Sequence, residues 1–281
     1  MERTGATFRS EIMPRRRLDL VRLGCALGAA LIVMAAGMSR ASAEDITALY
    51  SAFWAGLPAA EVSLKLRDGA PGYRDEIEIA TQGLPQLFTH FRATALAEGH
   101  HGLGQSAEPT HYLAVYDLRK RHDRRISMQF VDRIGSRIAE RSPDDTSRKP
   151  PLAEAYRKNA LDPLSAVESL RGALRMAKAR GGSFSIPVYD GARRFDVVGH
   201  ILPQKDPSGA TLYAELTLRP IAGFKGESSE DGDPDDAPRK VELTMTNDDR
   251  MVPLSISVPV FFMPLVVQFQ RLCVAPDPCT R

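Results

Sequence analysis

The chain has 281 residues, 43% of them hydrophobic and 26% charged, with three cysteines and a formal net charge of +2. That is length enough for a sizeable core, too little cysteine for a disulfide-built scaffold, and too even a balance for the clustered basic surface that a nucleic-acid partner requires. The first 43 residues hold seven of the 37 basic and three of the 35 acidic residues, which leaves 30 against 32 and a net charge of −2 for the remainder.

Those 43 residues read as a cleavable secretory signal peptide. Arg15, Arg16, Arg17 and Arg22 precede an apolar run from Leu23 to Met38, and Ala41-Ser42-Ala43 offers a small-x-small cleavage site before Glu44. The run is shorter than the roughly 20 residues of a spanning helix and is interrupted by Gly24, Gly28 and Gly37. Arg22 and Leu23 stand too close to Cys25 for a lipidation signal, and Arg15-Arg16 reads better as an ordinary basic region than as a twin-arginine signal. The expected mature chain, 44–281, is therefore periplasmic, exported by a Sec-type signal, and without a transmembrane segment.

From Glu44 onward the dominant pattern has period two. The first predicted strand is 47–55. Val62, Leu64 and Leu66 then alternate with Glu61, Ser63, Lys65 and Arg67, and Ile77 and Ile79 alternate with Glu76 and Glu78. Strands at 91–97 and 112–118 follow, then Ile126, Met128 and Phe130 between polar neighbours. Successive side chains of a strand face opposite sides, so each segment has one buried and one wet face, as in an antiparallel sheet. The stretch from Arg141 to Pro151 reads as a loop, and Leu152–Ala160 as a short helix with Glu154 and Lys158 one turn apart. Asp162 as N-cap, Pro163 at the first helical position and Gly181-Gly182 as terminator frame the one long helix. Its apolar stripe is Leu164, Val167, Leu170, Leu174 and Ala177, with Glu168, Arg171, Arg175 and Lys178 expected to face away.

Strands at 184–188 and 194–200 come next, then Leu212 to Leu218, Val241 to Met245, Leu254 to Val258, and 265–272. Asp68-Gly69, Asp190-Gly191 and Asn247-Asp248-Asp249 supply turns. Residues 223–238 form an acidic, Gly/Pro-rich insertion whose like charges repel; its spacing does not fit an EF-hand loop. The whole is expected to be one domain, 44–281, of mainly β class: a large curved, half-barrel-like antiparallel sheet with one amphipathic helix packed on its concave face.

Cys273 and Cys279 close the chain six residues apart, and in an oxidising compartment they should pair as a structural disulfide tying down the tail, 273–279. His100, His101, His111 and His122 lack the spacing of metal ligands, so no metal or other cofactor is expected. No nucleophile elbow or phosphate loop occurs, no catalytic residue is singled out, and Asp190, Arg193, Arg194, Asp249 and Arg250 read as turn residues. The segment Val258–Val267, containing Phe261 and Phe262, reads first as a core strand with an irregular entry and second as an apolar lip for a lipid. Trp54, the only tryptophan, has the same two readings.

Several motifs taken together resemble those of the DUF3108 family of exported proteobacterial proteins: Tyr50 to Glu61 with Trp54, Gly56 and Leu57; Tyr73 to Gly83; Asp162-Pro163-Leu164-Ser165-Ala166; Asp190-Gly191 with Arg193; and Asp249-Arg250 with Pro253. That family is named for its lack of known function, so the resemblance implies architecture and location and no reaction. A curved sheet around a helix is also similar, at fold level, to the lipoprotein carriers of the LolA/LolB type. The expected function is non-enzymatic binding of an apolar or amphiphilic ligand, such as a lipid, between sheet and helix, with Trp54, Phe261 and Phe262 as candidate ligand contacts. Two rivals stand beside it: an interaction module whose partner is an envelope protein, and an envelope hydrolase using paired carboxylates.

Overall fold

A computed structural model describes residues 44–69, 72–83, 86, 90–103, 106–118, 121–147, 150–224, 237–260, 263–275 and 279. The expected signal peptide, Phe261, Phe262 and most of the acidic insertion lie outside the described residues. Ala43–Arg281 forms one compact unit.

The unit is a single antiparallel sheet of thirteen strands. They are β1 (Glu44–Trp54), β2 (Leu57–Gly69), β3 (Gly72–Thr81), β4 (Arg92–His101), β5 (Ala107–Leu118), β6 (Arg121–Arg133), β7 (Ser136–Arg141), β8 (Ser183–Tyr189), β9 (Arg194–Ile201), β10 (Thr211–Ala222), β11 (Arg239–Thr246), β12 (Pro253–Val260) and β13 (Met263–Val274). A helical turn, α1 (Glu154–Arg157), and the long helix, α2 (Pro163–Arg180), separate the first seven strands from the last six. The spatial order is β7-β6-β5-β4-β3-β2-β1-β13-β12-β11-β10-β9-β8. The sheet is thus two meanders joined through their outermost members in sequence: β1 pairs with β13 from Ile46↔Val274 to Trp54↔Leu265.

Its two edges, β7 and β8, fall in the middle of the chain, and the polypeptide running between them seals the gap. Lys158 bridges Ile138 of β7, and Leu161 bridges Val188 of β8. The Asn159 amide donates to the Arg137 carbonyl at 2.7 Å, the Leu161 amide to the Pro187 carbonyl at 2.8 Å, and the Tyr189 amide returns a bond to the Leu161 carbonyl at 2.8 Å. Unpaired edge groups are costly when buried and invite aggregation when exposed. Here a four-residue splint pairs with part of each edge and makes the sheet a nearly closed barrel. Asn159 takes φ +53° to fit, a left-handed value that Asn tolerates better than most residues. The expected helix over 152–160 is accordingly cut to Glu154–Arg157, because Lys158 already adopts extended dihedrals.

The helix α2 begins where the sequence predicts. Asp162 Oδ1 accepts from the amides of Leu164 at 3.0 Å and Ser165 at 2.8 Å, and Pro163 opens the helix. The helix lies against the concave face at one end of the barrel, where the β2–β3, β4–β5 and β11–β12 turns gather. Ser169 Oγ accepts from the Ala107 amide, Arg171 Nε and Nη2 donate to the Arg250 carbonyl, and Arg175 donates to the Asp249 carbonyl. One expectation about its faces is overturned: Glu168 and Arg171 do not face away but are each about 2% exposed. The barrel wraps the helix on more than one side, so its polar flank is enclosed as well as its apolar stripe.

Candidate functional site

The strand registers place inner-face residues in rows that cross the sheet, and burial changes from row to row. A row close to the helix runs Ile46, Leu66, Asp75, Ala97, Tyr112, Met128, and every member is sealed, none more than 4% exposed. One step further the row is Ala48, Leu64, Ile77, Ala95, Ala114, Ile126; here Ile77, Ala95 and Ile126 are only partly buried. A further step gives Phe269, Tyr50, Val62, Ile79, Ala93, Tyr116, in which Val62, Phe269 and Tyr116 are partly buried. On the other meander Val267 and Ile256 share a row, with Val258 beyond them, and these too are partly buried. The interior is therefore packed at the helix end and presents accessible apolar side chains toward the opposite end.

Trp54 stands at that opposite rim, in register with Leu57 and Leu265 and 37% exposed. The strands that flank Phe261 and Phe262 end at the same rim, Val260 pairing with Met263. A pocket of about 190 Å³ lies by β9 and β10, with Phe195, Leu218, Pro220 and Phe224 as its apolar walls and Arg193 and Arg239 at its edge. The Arg193 guanidinium lies 5.6 Å from the centre of the Phe224 ring and bonds Asp190 Oδ2 at 2.9 Å. Asp190 also accepts from the Ala192 and Arg193 amides, as a turn-forming aspartate should.

At the sealed end the structure assembles a polar cluster that sequence reasoning did not single out. Tyr73 donates to Ser165 Oγ at 2.7 Å, and Ser165 Oγ to Asp162 Oδ2 at 2.5 Å. An alanine side chain at Gly99 would approach the Tyr73 hydroxyl to 2.5 Å, so the glycine is what lets the ring lie there. Arg171 bonds Glu168 through Nη1 and grips Asp68 through Nη2 at 3.0 Å. His101 Nδ1 stands 3.9 Å from Glu168 Oε1. Asp75 is fully buried on the inner face of β3, and neither of its carboxylate oxygens has a hydrogen-bond partner. Burial, then the Glu168 and Asp68 carboxylates, push its pKa up to about 8, against the pull of Arg171 and the Arg67 backbone. Burial likewise raises Asp162 to about 6 despite the hydrogen bonds it accepts. A sequence signal for Asp75 existed: it has the same parity as Tyr73, Ile77 and Ile79. Sealed as it is, Asp75 cannot meet a substrate.

Cys273 and Cys279 are disulfide-bonded, with Cα atoms 5.6 Å apart. Of the four histidines that lie close in sequence, His101 alone is recorded beside an acidic group among the described side chains. No helix among the described residues is long and apolar enough to cross a membrane.

These features define a nearly closed antiparallel barrel with a helix at one end. The chain is similar to a beta-barrel-like protein of a domain of unknown function, DUF1849, from Brucella abortus, whose crystal structure superposes with a TM-score of 0.53 at 11% identity, covering 83% of this chain and 99% of that one. At such identity the likeness extends to the fold. No protein-family model matches the chain, and no curated protein does.

Proposed function

We propose that this protein is an exported, periplasmic envelope protein, a single domain over 44–281 once its signal peptide is removed, that holds an apolar or amphiphilic molecule in the barrel, with the sheet as wall and α2 as floor. One observation carries the reading: beyond the polar cluster at the sealed end, the inner face becomes apolar and passes from sealed to solvent-accessible along the barrel. A folded chain gains by covering such surface, at roughly 25 cal/mol per Å², so its persistence at one end marks a place for a ligand. Trp54 belongs to the entrance, and Phe261 and Phe262 are carried from the sequence as further candidate ligand contacts. The leader-like first 43 residues and the sequence resemblance to the exported DUF3108 family support the location, and the expected fold-level likeness to LolA/LolB-type carriers suggests the kind of cargo.

The test is native mass spectrometry of the full chain expressed with its leader and recovered from a periplasmic extract without detergent. An extractable added mass on a chain that begins at Glu44 supports the reading. A second arm uses the single tryptophan as reporter: oleate added below its micellar concentration should shift Trp54 emission saturably, and Val62→Asn keeps the one fluorophore while making the wall polar. Saturable binding lost in Val62→Asn is the expected outcome; a bare mass together with no response to oleate would overturn the reading.

A further inference from the structure

The cluster at the helix end has a use that ligand carriage does not require. Asp68 ends β2, His101 ends β4 and Glu168 sits in the first half of α2, and one ligand atom from each lies within 4.8 Å of the others. Donors about 2.0–2.2 Å from one first-row cation stand at most about 4.4 Å apart, so small side-chain adjustments would bring these three atoms round a single ion. Arg171 occupies the cluster but leaves donor capacity. Its bond to Glu168 goes to Oε2, while Oε1 faces His101. Its grip on Asp68 is close at Oδ2, 3.0 Å, and loose at Oδ1, 3.4 Å.

An independent feature points to the same place. Asp75 is completely buried on the inner face of β3, flanked by Leu66 and Ala97, which are themselves fully buried, and both its oxygens lack partners. The Tyr50 hydroxyl, buried among the same groups within reach of the Arg171 charge, also lacks one. Buried polar atoms are almost always satisfied, and an orphaned carboxylate calls for an ion or a proton that completes it. The charges that Asp75 senses are Glu168 and Asp68 on one side and Arg171 on the other. The Asp68 and Glu168 carboxylates share the Arg171 guanidinium, with the Arg175 charge also within reach, while Asp75, raised to about 8, holds its proton at neutral pH.

We propose that Asp68, His101 and Glu168 bind a divalent first-row cation at the base of α2, with the buried Asp75 behind them. One imidazole and two carboxylates suit Zn2+ or Mn2+ better than an all-oxygen ion such as Ca2+. The ion would join β2, β4 and α2 at one point and so fasten the helix to the barrel, and its place at the sealed end keeps it clear of the apolar interior.

The test is isothermal titration calorimetry of Zn2+, and separately Mn2+, into EDTA-stripped protein. Single-site binding is expected, weakened at least tenfold in His101→Ala and unchanged in His100→Ala, whose side chain leaves the opposite face of the same strand. His101→Ala keeps the Arg171 bonds to Glu168 and Asp68, so it should fold as the wild type does; Glu168→Gln adds a second, more disruptive arm. Bound metal should also raise the melting temperature of the wild type and not of His101→Ala. Failure of the wild type to bind either ion at millimolar concentration, or equal affinity in wild type and His101→Ala, would overturn the proposal.

Discussion

Asp75 is the residue whose burial has the clearest measurable cost. In the unfolded chain its carboxyl ionises near 4, whereas in the fold it ionises at about 8. Between those values the unfolded chain sheds a proton that the native protein keeps, so raising the pH favours unfolding; below them both states carry the proton and the penalty vanishes. The wild type should therefore lose stability as pH rises from about 4 to about 8, by an amount on the order of a few kcal/mol. Asp162, raised to about 6, contributes to the lower half of that window, so the interval from pH 6 to 8 separates the two. Asp75→Asn, nearly isosteric and without a proton to exchange, should show a urea midpoint that is flatter across this interval and higher than the wild type's at pH 8, measured in EDTA so that a bound ion does not mask the slope. An unchanged slope would mean that the carboxyl is satisfied by something other than a proton. At this scale sequence patterning revealed which positions alternate but not the content of the interior. Asp75, Glu168 and Arg171 are polar residues of the kind found on any wet face, and only the barrel wrapping round α2 encloses them. Trp54 was noticeable as the single tryptophan, yet its place at a rim depends on a pairing with Leu265 some two hundred residues away.

At the scale of elements, α2 was legible because its signals are local. Asp162, Pro163 and Gly181 mark its ends in the sequence and in the structure alike. Replacing Asp162 with Ala should remove the oxygen that accepts from both amides and the acceptor of Ser165 Oγ, and so loosen the hydroxyl to which Tyr73 donates. N-cap losses cost about 1–2 kcal/mol, so a drop of several degrees in the circular dichroism melt is expected at this chain length. Asp162→Asn, which retains an acceptor for the amides, should fall by less. The splint at Lys158–Leu161 was not legible, for the opposite reason. Glu154 and Lys158 have helical spacing, but the backbone beyond Arg157 bonds to two edge strands distant in sequence, and those bonds override local preference. The short strand β7 was missed too, because Ile138-Ala139 between arginines is too brief a pattern. Leu161→Pro removes the amide that bonds Pro187 while sparing most of the side-chain packing. Hydrogen exchange should then accelerate at the Tyr189 and Asn159 amides, on β8 and beside β7, and remain slow in β1, β2 and β13. Equal protection at the edges would show that the splint merely lies against the sheet.

The whole molecule has an arrangement that no local pattern announces: the strands nearest the two ends of the compact unit pair in the middle of the sheet, and the sheet's edges lie mid-chain. The β1–β13 ladder, with the Ala275 amide bonded to the Asp45 carbonyl at 3.0 Å, holds the two meanders together, and the Cys273–Cys279 bond fastens the tail beside it. Which strands neighbour each other follows from this long-range closure, whose loop entropy must be overcome before its contacts form. The closeness of Asp45 to Ala275 permits a direct test. A circular permutant that joins Arg281 to Glu44 through a short Gly/Ser linker and opens the chain at the exposed Pro150–Pro151 junction, between the edge strand β7 and α1, turns β1 and β13 into a hairpin-like neighbour pair and makes that closure local. If the ladder is the joint of the barrel, the permutant should refold faster than the unpermuted chain and melt in one cooperative step, because the splint between β7 and β8 then remains the sole long-range seam. Two separate transitions would instead mean that the meanders fold as independent halves, each with its own core, and that their pairing adds little. The distribution of buried residues argues for one transition: the core built on β1 to β7 also takes in Leu164 of α2, Tyr189 of β8 and Val252 beside β12, so neither half can bury its apolar face without the other.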